Sequence, residues 1–260
     1  MVEIIYSVVI VVATFLGACA GLGGGVIIKP VLDAVQAHDV VTISFLSTAV
    51  VFTMSTYSIM KQLINKVKLD FCMILWVAFG SIIGGIIGEK IFSYFTSMFT
   101  ETMITAIQSL LLAMILVFVL IYVNSNFKSY CINSRVLYCN IGVFLGVLSS
   151  FLGIGGGPIN VALFTLFFSI PLKIAVVYSL VTIFFSQAAK LMVIATTKGF
   201  ASYDLTLLWF ALPMAILGSS LGTRANRKFN AKKIKQIFNF AVSSTLLLTM
   251  YNFYCAFNIL

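Results

Sequence analysis

Charge is scarce in this chain. Seven Asp and Glu with sixteen Lys and Arg make up 9% of its 260 residues, where a soluble domain averages about 25%. So few charges cannot cover a water-facing surface, which argues against a soluble domain. Histidine occurs once, at His38, and the five cysteines (Cys19, Cys72, Cys131, Cys139, Cys255) form no CxxC and have no histidine close by. Neither a zinc site nor a disulfide framework is indicated. No His/Asp/Glu cluster, metal-ligand spacing or base-activated serine is present, so an intramembrane enzyme has no support. A GK[ST] phosphate loop is also missing, and no cofactor is expected.

What the chain has instead is hydrocarbon, at 61% hydrophobic residues. The runs 41–60, 105–123 and 237–257 carry no charge, and about twenty residues suffice to cross roughly 30 Å of bilayer core. The fold class is an all-α polytopic membrane protein. Its net charge of +9 would suggest nucleic acid in a soluble protein. Here the basic residues fall between apolar segments, so the positive-inside rule explains them and no nucleic-acid partner is expected. The first residues, Met-Val-Glu followed by an apolar run, lack the basic region of a secretory signal, so the first segment is expected to stay.

Eight apolar stretches can be marked. Residues 1–123 form a first repeat, with a broken helix over 3–35 and helices over 40–60, 71–88 and 104–123. A polar loop, 124–135, leads into a second repeat over 136–260, with a broken helix over 136–170 and helices over 174–196, 205–223 and 236–257. The duplication is legible in the residues themselves, and internal repeats come before other inferences. At an offset of 132, Gly21, Gly23, Gly24 and Gly25 match Gly153, Gly155, Gly156 and Gly157, Ser47 matches Ser179, and Phe52 matches Phe184. At an offset of 134, Asp70 matches Asp204, Gly84 matches Gly218 and Gly88 matches Gly222.

Charge sidedness orients the repeats. If the two broken stretches each enter, turn at their glycines and leave by the same face, only Lys29, Lys90, Lys190 and Lys198 oppose the other twelve basic residues. That imbalance is what the positive-inside rule expects. Residues 89–101 carry Glu89, Lys90 and Glu101, whereas the equivalent loop 224–235 carries six basic residues. The expectation is therefore two inverted repeats, each a re-entrant hairpin plus three transmembrane helices, in the cell membrane. Loops 61–68, 124–135 and 224–235 are expected in the cytoplasm and both termini outside.

The glycine runs are the expected site. Three consecutive glycines weaken a helix more than close packing requires, and unpaired backbone groups in lipid survive only against protein, water or ligand. A half-helix follows each run, the second opening with Pro158, which suits a first helical turn. Free N–H groups and the positive end of the dipole then point back at Gly23, Gly24, Gly25, Gly155, Gly156 and Gly157 and favour an anion. Gly84/Gly88 and Gly218/Gly222, spaced four apart, read instead as helix packing.

Lys29 stands near the first half-helix start and is a candidate partner for the anion. Lys190 lies near a helix end and reads as snorkelling to the interface. Ser47, Thr48, Ser179 and Gln187, on the helices after each hairpin, and Asn160, just past Gly157, offer hydroxyl and amide contacts to an oxyanion. Asp70 and Asp204 follow polar loops and read as helix N-caps, and His38 with Asp39 reads as a loop leading into a helix. No carboxylate stands out at membrane depth, so no proton or sodium relay is read from the sequence.

With residues 21–30 (GLGGGVIIKP) and 153–158 (GIGGGP) in two related halves, and the basic stretch 224–235, the chain resembles the sulfite exporter TauE/SafE family of membrane permeases. The resemblance implies transport of sulfur-containing anions such as sulfite or organosulfonates. It carries over to Gly21, Gly23, Gly24, Gly25 and Pro30, and to Gly153, Gly155, Gly156, Gly157 and Pro158. Ala162 stands where the first repeat has Pro30, so the two half-sites differ chemically. The leading reading is a secondary transporter of a small anion by alternating access. An anion channel of the same architecture is the alternative, and an enzyme is the rival of a different class. Each pair of repeats can form a site alone, so the sequence leaves the oligomeric state open.

Overall fold

The computed structural model describes residues 2–35, 37–65, 70–125, 129–197, 199 and 205–259, and the regular elements among them are all helices. In chain order they are α1 (Val2–Ala20), α2 (Gly25–Val35), α3 (Val40–Ile64), α4 (Phe71–Met98), α5 (Glu101–Asn124), α6 (Arg135–Leu152), α7 (Gly157–Phe168), α8 (Leu172–Thr197), α9 (Thr206–Lys228) and α10 (Ala231–Ile259). Seven of them, α3 to α6 and α8 to α10, are long and apolar enough to cross a bilayer.

Each stretch read as broken is two helices of unequal length. At 1.5 Å per residue, the 19 residues of α1 span roughly 28 Å and the 11 of α2 roughly 16 Å. The chain doubles back at the glycines, because Tyr6 near the start of α1 shares a 3.0 Å hydrogen bond with His38, just after α2.

Helix starts follow local chemistry. The Asp39 carboxylate accepts from Thr42 N at 3.0 Å and caps α3, and Asp70 accepts from Cys72 N at 2.9 Å and caps α4. Asp70 acts as the expected N-cap, and Asp39 caps the helix that its loop leads into, leaving fewer bare N–H groups at the helix ends. Asp204 lies outside the described residues, as do residues 66–68 and 126–128 of the basic loops. α4 continues past the expected end at 88, through Glu89 and Lys90, to Met98. Thr100 then caps α5. The expected 89–101 loop is therefore mostly helix, since Glu and Lys propagate a helix well once their charges are accommodated.

Packing joins the two halves of the chain. α4 lies along α6, and α1 along α9, with main chains in close approach. A Cβ on Gly84 would overlap the Val143 carbonyl, and one on Gly88 would sit 2.5 Å from Val147 O. Gly218 and Gly222 stand in the same way against Val11 and Phe15. These four glycines are packing residues, as expected. Residue numbers rise together across both contacts, so α1 runs parallel to α9 and α4 to α6.

The central helices α3 and α8 run antiparallel. Phe52 stacks on Phe184, with ring centroids 5.2 Å apart, and Ser44 meets Lys190 at 2.9 Å. α5 and α10 are also antiparallel, since Asn239 near the start of α10 donates to Asn124 at the end of α5 (2.7 Å). The described Lys and Arg at the end of α3, the starts of α6, α8 and α10 and the end of α9 thus share one end of the bundle, where Lys173 Nζ donates to Phe229 O at 3.1 Å. The start of α1 and the end of α10 lie at the other end.

Candidate functional site

Two glycine turns meet at the centre of the bundle, midway along α3 and α8. Gly21, Gly23 and Gly24 have φ of 75°, 76° and 55°, and Gly153, Gly155 and Gly156 have 64°, 78° and 69°. All six are left-handed, a conformation L side chains rarely adopt, and their positions correspond one for one. Each turn follows a helix whose last carbonyls are capped by a distant amide. Asn226 Nδ2 donates to Cys19 O at 2.7 Å and Gln108 Nε2 to Phe151 O at 2.6 Å.

The turns touch through main chain. A Cβ on Gly25 would lie 2.6 Å from Ile154 O, and one on Gly157 would overlap the Leu22 carbonyl. Ser179 Oγ ties them together, donating to Gly21 O at 2.9 Å and reaching Gly157 O at 3.3 Å. Among the described residues, no hydrogen bond is made by the amides of Gly23, Gly24, Gly155, Gly156 or Gly157. Five donors at two helix starts are thus gathered in one buried place.

Buried polar side chains surround these donors. Ser47 is fully buried beside Gly25 and its Oγ makes no hydrogen bond. Asn160, in the first turn of α7, is fully buried beside Gly156 and neither atom of its amide is bonded. Gln187 differs, because its Nε2 donates to Ser149 Oγ at 2.8 Å, just before the second turn. Thr48 spends its hydroxyl on Ser44 O within α3. The glycines, Ser47, Asn160 and Ser179 therefore come together, with Gln187 one layer away.

Both lysines are buried and ion-paired, and Lys190 is placed differently from the expectation. Lys29 is buried and forms an ion pair with Asp33 at 2.9 Å, one turn along α2. Its stem passes Gly153, with Cδ 3.4 Å from where a Cβ would stand. Lys190 does not snorkel to the interface. It is fully buried and pairs with Glu89 at 3.1 Å. It also donates to Ser44 Oγ (2.9 Å) and Ser150 O (2.8 Å) and lies over the Phe92 ring at 4.9 Å. A buried charge is tolerated where a partner and hydrogen bonds satisfy it.

Two carboxylates, Asp33 and Glu89, therefore do lie inside the bundle, contrary to the sequence expectation. The signal for Asp33 was the Lys29–Asp33 spacing of four on one helix face. Glu89 gave none, since its partner is 101 positions away. Both pairs flank the second glycine turn, and each is neutral as a unit.

A cavity of about 520 Å³ opens beside Asp33 and is lined by His38, Glu101, Tyr251, Asn252 and Cys255 among others. A smaller cavity, also lined by Asp33, touches Lys29, Gln108 and Ile154 of the second turn.

A model of the family described as sulfite exporter TauE/SafE matches residues 6–249. No curated protein matches the chain, and neither does any solved structure.

Proposed function

The chain belongs to the sulfite exporter TauE/SafE family, and from that premise we propose that it is a secondary transporter binding a small sulfur oxyanion or organosulfonate between its two glycine turns. Membership makes it a membrane transporter; the site and the mechanism are our reading. The observation that carries it is the set of five buried, unbonded amides at the starts of α2 and α7. Helix starts attract anions through free N–H groups and the positive end of the dipole. The unbonded Ser47 hydroxyl and Asn160 amide supply further donors beside them.

The halves act as inverted repeats. This is supported by the antiparallel course of the matched helices α3 and α8, and of α5 and α10. Opposed half-helix starts near the bilayer midplane are a recurrent transporter arrangement. Because the turns touch through main chain, an oxyanion enters only when one half rocks away from the other, which is the alternating-access step. The basic end of the bundle faces the cytoplasm and both termini face outward.

Uptake of labelled sulfite, thiosulfate, taurine and acetate into proteoliposomes tests this. Saturable transport of one or more sulfur anions is expected, and movement of cations alone would refute the site. Single-channel conductance would replace the carrier by a pore. Topology is checked by cysteine labelling at Thr100 and Lys228 after the exposed Cys72 and Cys131 are replaced. The two positions should label from opposite faces, and labelling from one face would end the inverted reading.

A further inference from the structure

The Lys29–Asp33 pair has two properties that the Lys190–Glu89 pair lacks. Among the described residues Lys29 Nζ bonds Asp33 alone, whereas Lys190 is also held by Ser44, Ser150 and the Phe92 ring. Both pairs have a buried carboxylate oxygen without a hydrogen bond, Asp33 Oδ1 and Glu89 Oε2. Asp33 also lines both the outer cavity of about 520 Å³ and a smaller one that touches Lys29 and Ile154 of the second glycine turn.

The groups around Asp33 select for protons over anions. Lys29 faces it from its own helix, Tyr6 from α1, His38 from the loop before α3, Glu101 from α5, and Tyr251 and Cys255 from α10. Where α3 lines the outer cavity, it contributes the apolar Val40 and Ile43. Among the described residues, the outer cavity thus holds two carboxylates and a histidine, with no Lys or Arg on its lining. Such a passage repels an oxyanion and admits a proton.

Resting on the anion-transport reading above, we infer that Asp33 is the proton-coupling residue: it takes up a proton through the outer cavity and releases Lys29 to the anion at the second glycine turn. The charges balance. Without substrate, Lys29 and Asp33 are +1 and −1. With a monovalent anion and a proton, Lys29 is matched by the anion and Asp33 is a neutral acid that keeps the proton. The anion alone would leave the site at −1 and the proton alone at +1, and an uncompensated buried charge is costly. Proton and anion therefore travel together, one for one, and reverse together. Glu89 takes no part, because Lys190 stays anchored by its other contacts.

The test uses the full chain in proteoliposomes with the membrane potential clamped. Its probe is labelled methanesulfonate, a permanent monoanion, with thiosulfate as a second anion. Wild type should acidify the lumen as anion enters. One pH unit of gradient should concentrate methanesulfonate about tenfold at one proton per anion.

D33N should keep anion–anion exchange while losing lumenal acidification and gradient-driven accumulation. E89Q, where it folds, should keep the coupling. A K29M/D33N double variant, which removes both charges together, should fold and lose exchange. Accumulation by D33N under a pH gradient, or anion entry into wild type with no proton movement, overturns the coupling while leaving anion transport intact. If neither anion exchanges in wild type, the transport reading falls, and the coupling with it.

Discussion

Gly21 and Gly153 hold nearly the same left-handed backbone and the same place in their turns, yet they face different chemistry. A Cβ on Gly21 would meet Val176 and Val161; one on Gly153 would meet Ser44 and Lys29. Each neighbour of the second is the 132-residue counterpart of a neighbour of the first. The contrast extends outward. Ser58 and Thr223, hydrogen-bonded at 3.2 Å, occupy the positions matched to Lys190 and Glu89, whose ion pair is 3.1 Å. Val161 and Thr165 stand where the other half has Lys29 and Asp33. The duplicated main chain is preserved and the side chains around one turn are ionic. Backbone donors thus appear twice in this molecule, but buried charge appears once.

That contrast can be broken most severely at Lys190. Lys190→Met strands the Glu89 carboxylate and should lower stability by about 3–5 kcal/mol, read as a fall in the detergent unfolding temperature. Lys190→Ser combined with Glu89→Thr copies the neutral half. It should recover most of that loss, and no recovery would mean that the two halves are not equivalent in packing.

A smaller effect is expected at the turns. Gly24→Ala and Gly156→Ala each force a side chain into φ of 55° and 69°, at about 1–2 kcal/mol. Expression should survive while transport is lost in both, and normal transport in both would return the glycines to a packing role. The serines sharpen the comparison further. Ser179→Ala removes the tie between the turns and should cost about 1 kcal/mol. Ser47→Ala removes an unbonded hydroxyl, so stability should hold while the KM for anion rises; an unchanged KM would take Ser47 out of the site.

The smallest effect separates the starts of α3 and α8. Asp39 caps α3, and its counterpart is Pro171. Burial pushes the Asp39 carboxyl upward, but hydrogen bonds from Thr42 and from the amides of Val41 and Asp39 outweigh this and hold it below the usual carboxylate range. Its contribution is therefore present above the unfolded carboxylate pKa and is lost as pH falls through the lower folded value. Asp39→Asn should cost roughly 0.3–1 kcal/mol at neutral pH, and the difference from wild type should close in acid, as thermal scans across pH would show.

Much of this was legible in the residues alone. Glycine has few reasons to recur in one pattern 132 positions apart, so the paired turns could be read directly. Helix starts at Asp39 and Asp70 were local, and so were the packing glycines at 84, 88, 218 and 222. The buried ion pairs were not, because a lone charge in an apolar sequence ordinarily marks the end of a segment or snorkels to the interface. That rule holds for a lone charge and fails for a pair. Lys29–Asp33 was within reach, one helical turn apart on α2. Glu89–Lys190 required knowing that α4 lies against α8, which only the assembled bundle reveals. The unequal limbs α1 and α2 were hidden for a related reason: hydropathy measures the apolar length of a stretch, and the glycines need not divide it evenly.

Phe52 and Phe184 are each other's counterparts and also each other's neighbours. A contact of that kind maps onto itself when the two halves exchange roles. Under the proposed alternating access, its stacking energy, about 0.5–1.5 kcal/mol, would therefore enter the outward-facing and inward-facing states equally and cancel from their difference. The ring pair holds the halves together without favouring either orientation, as the pin of a balance carries load but no torque. Any preference between the two states must come from groups with no mirror-mate, and in this bundle the chief of these are the two lysines and the carboxylates that hold them.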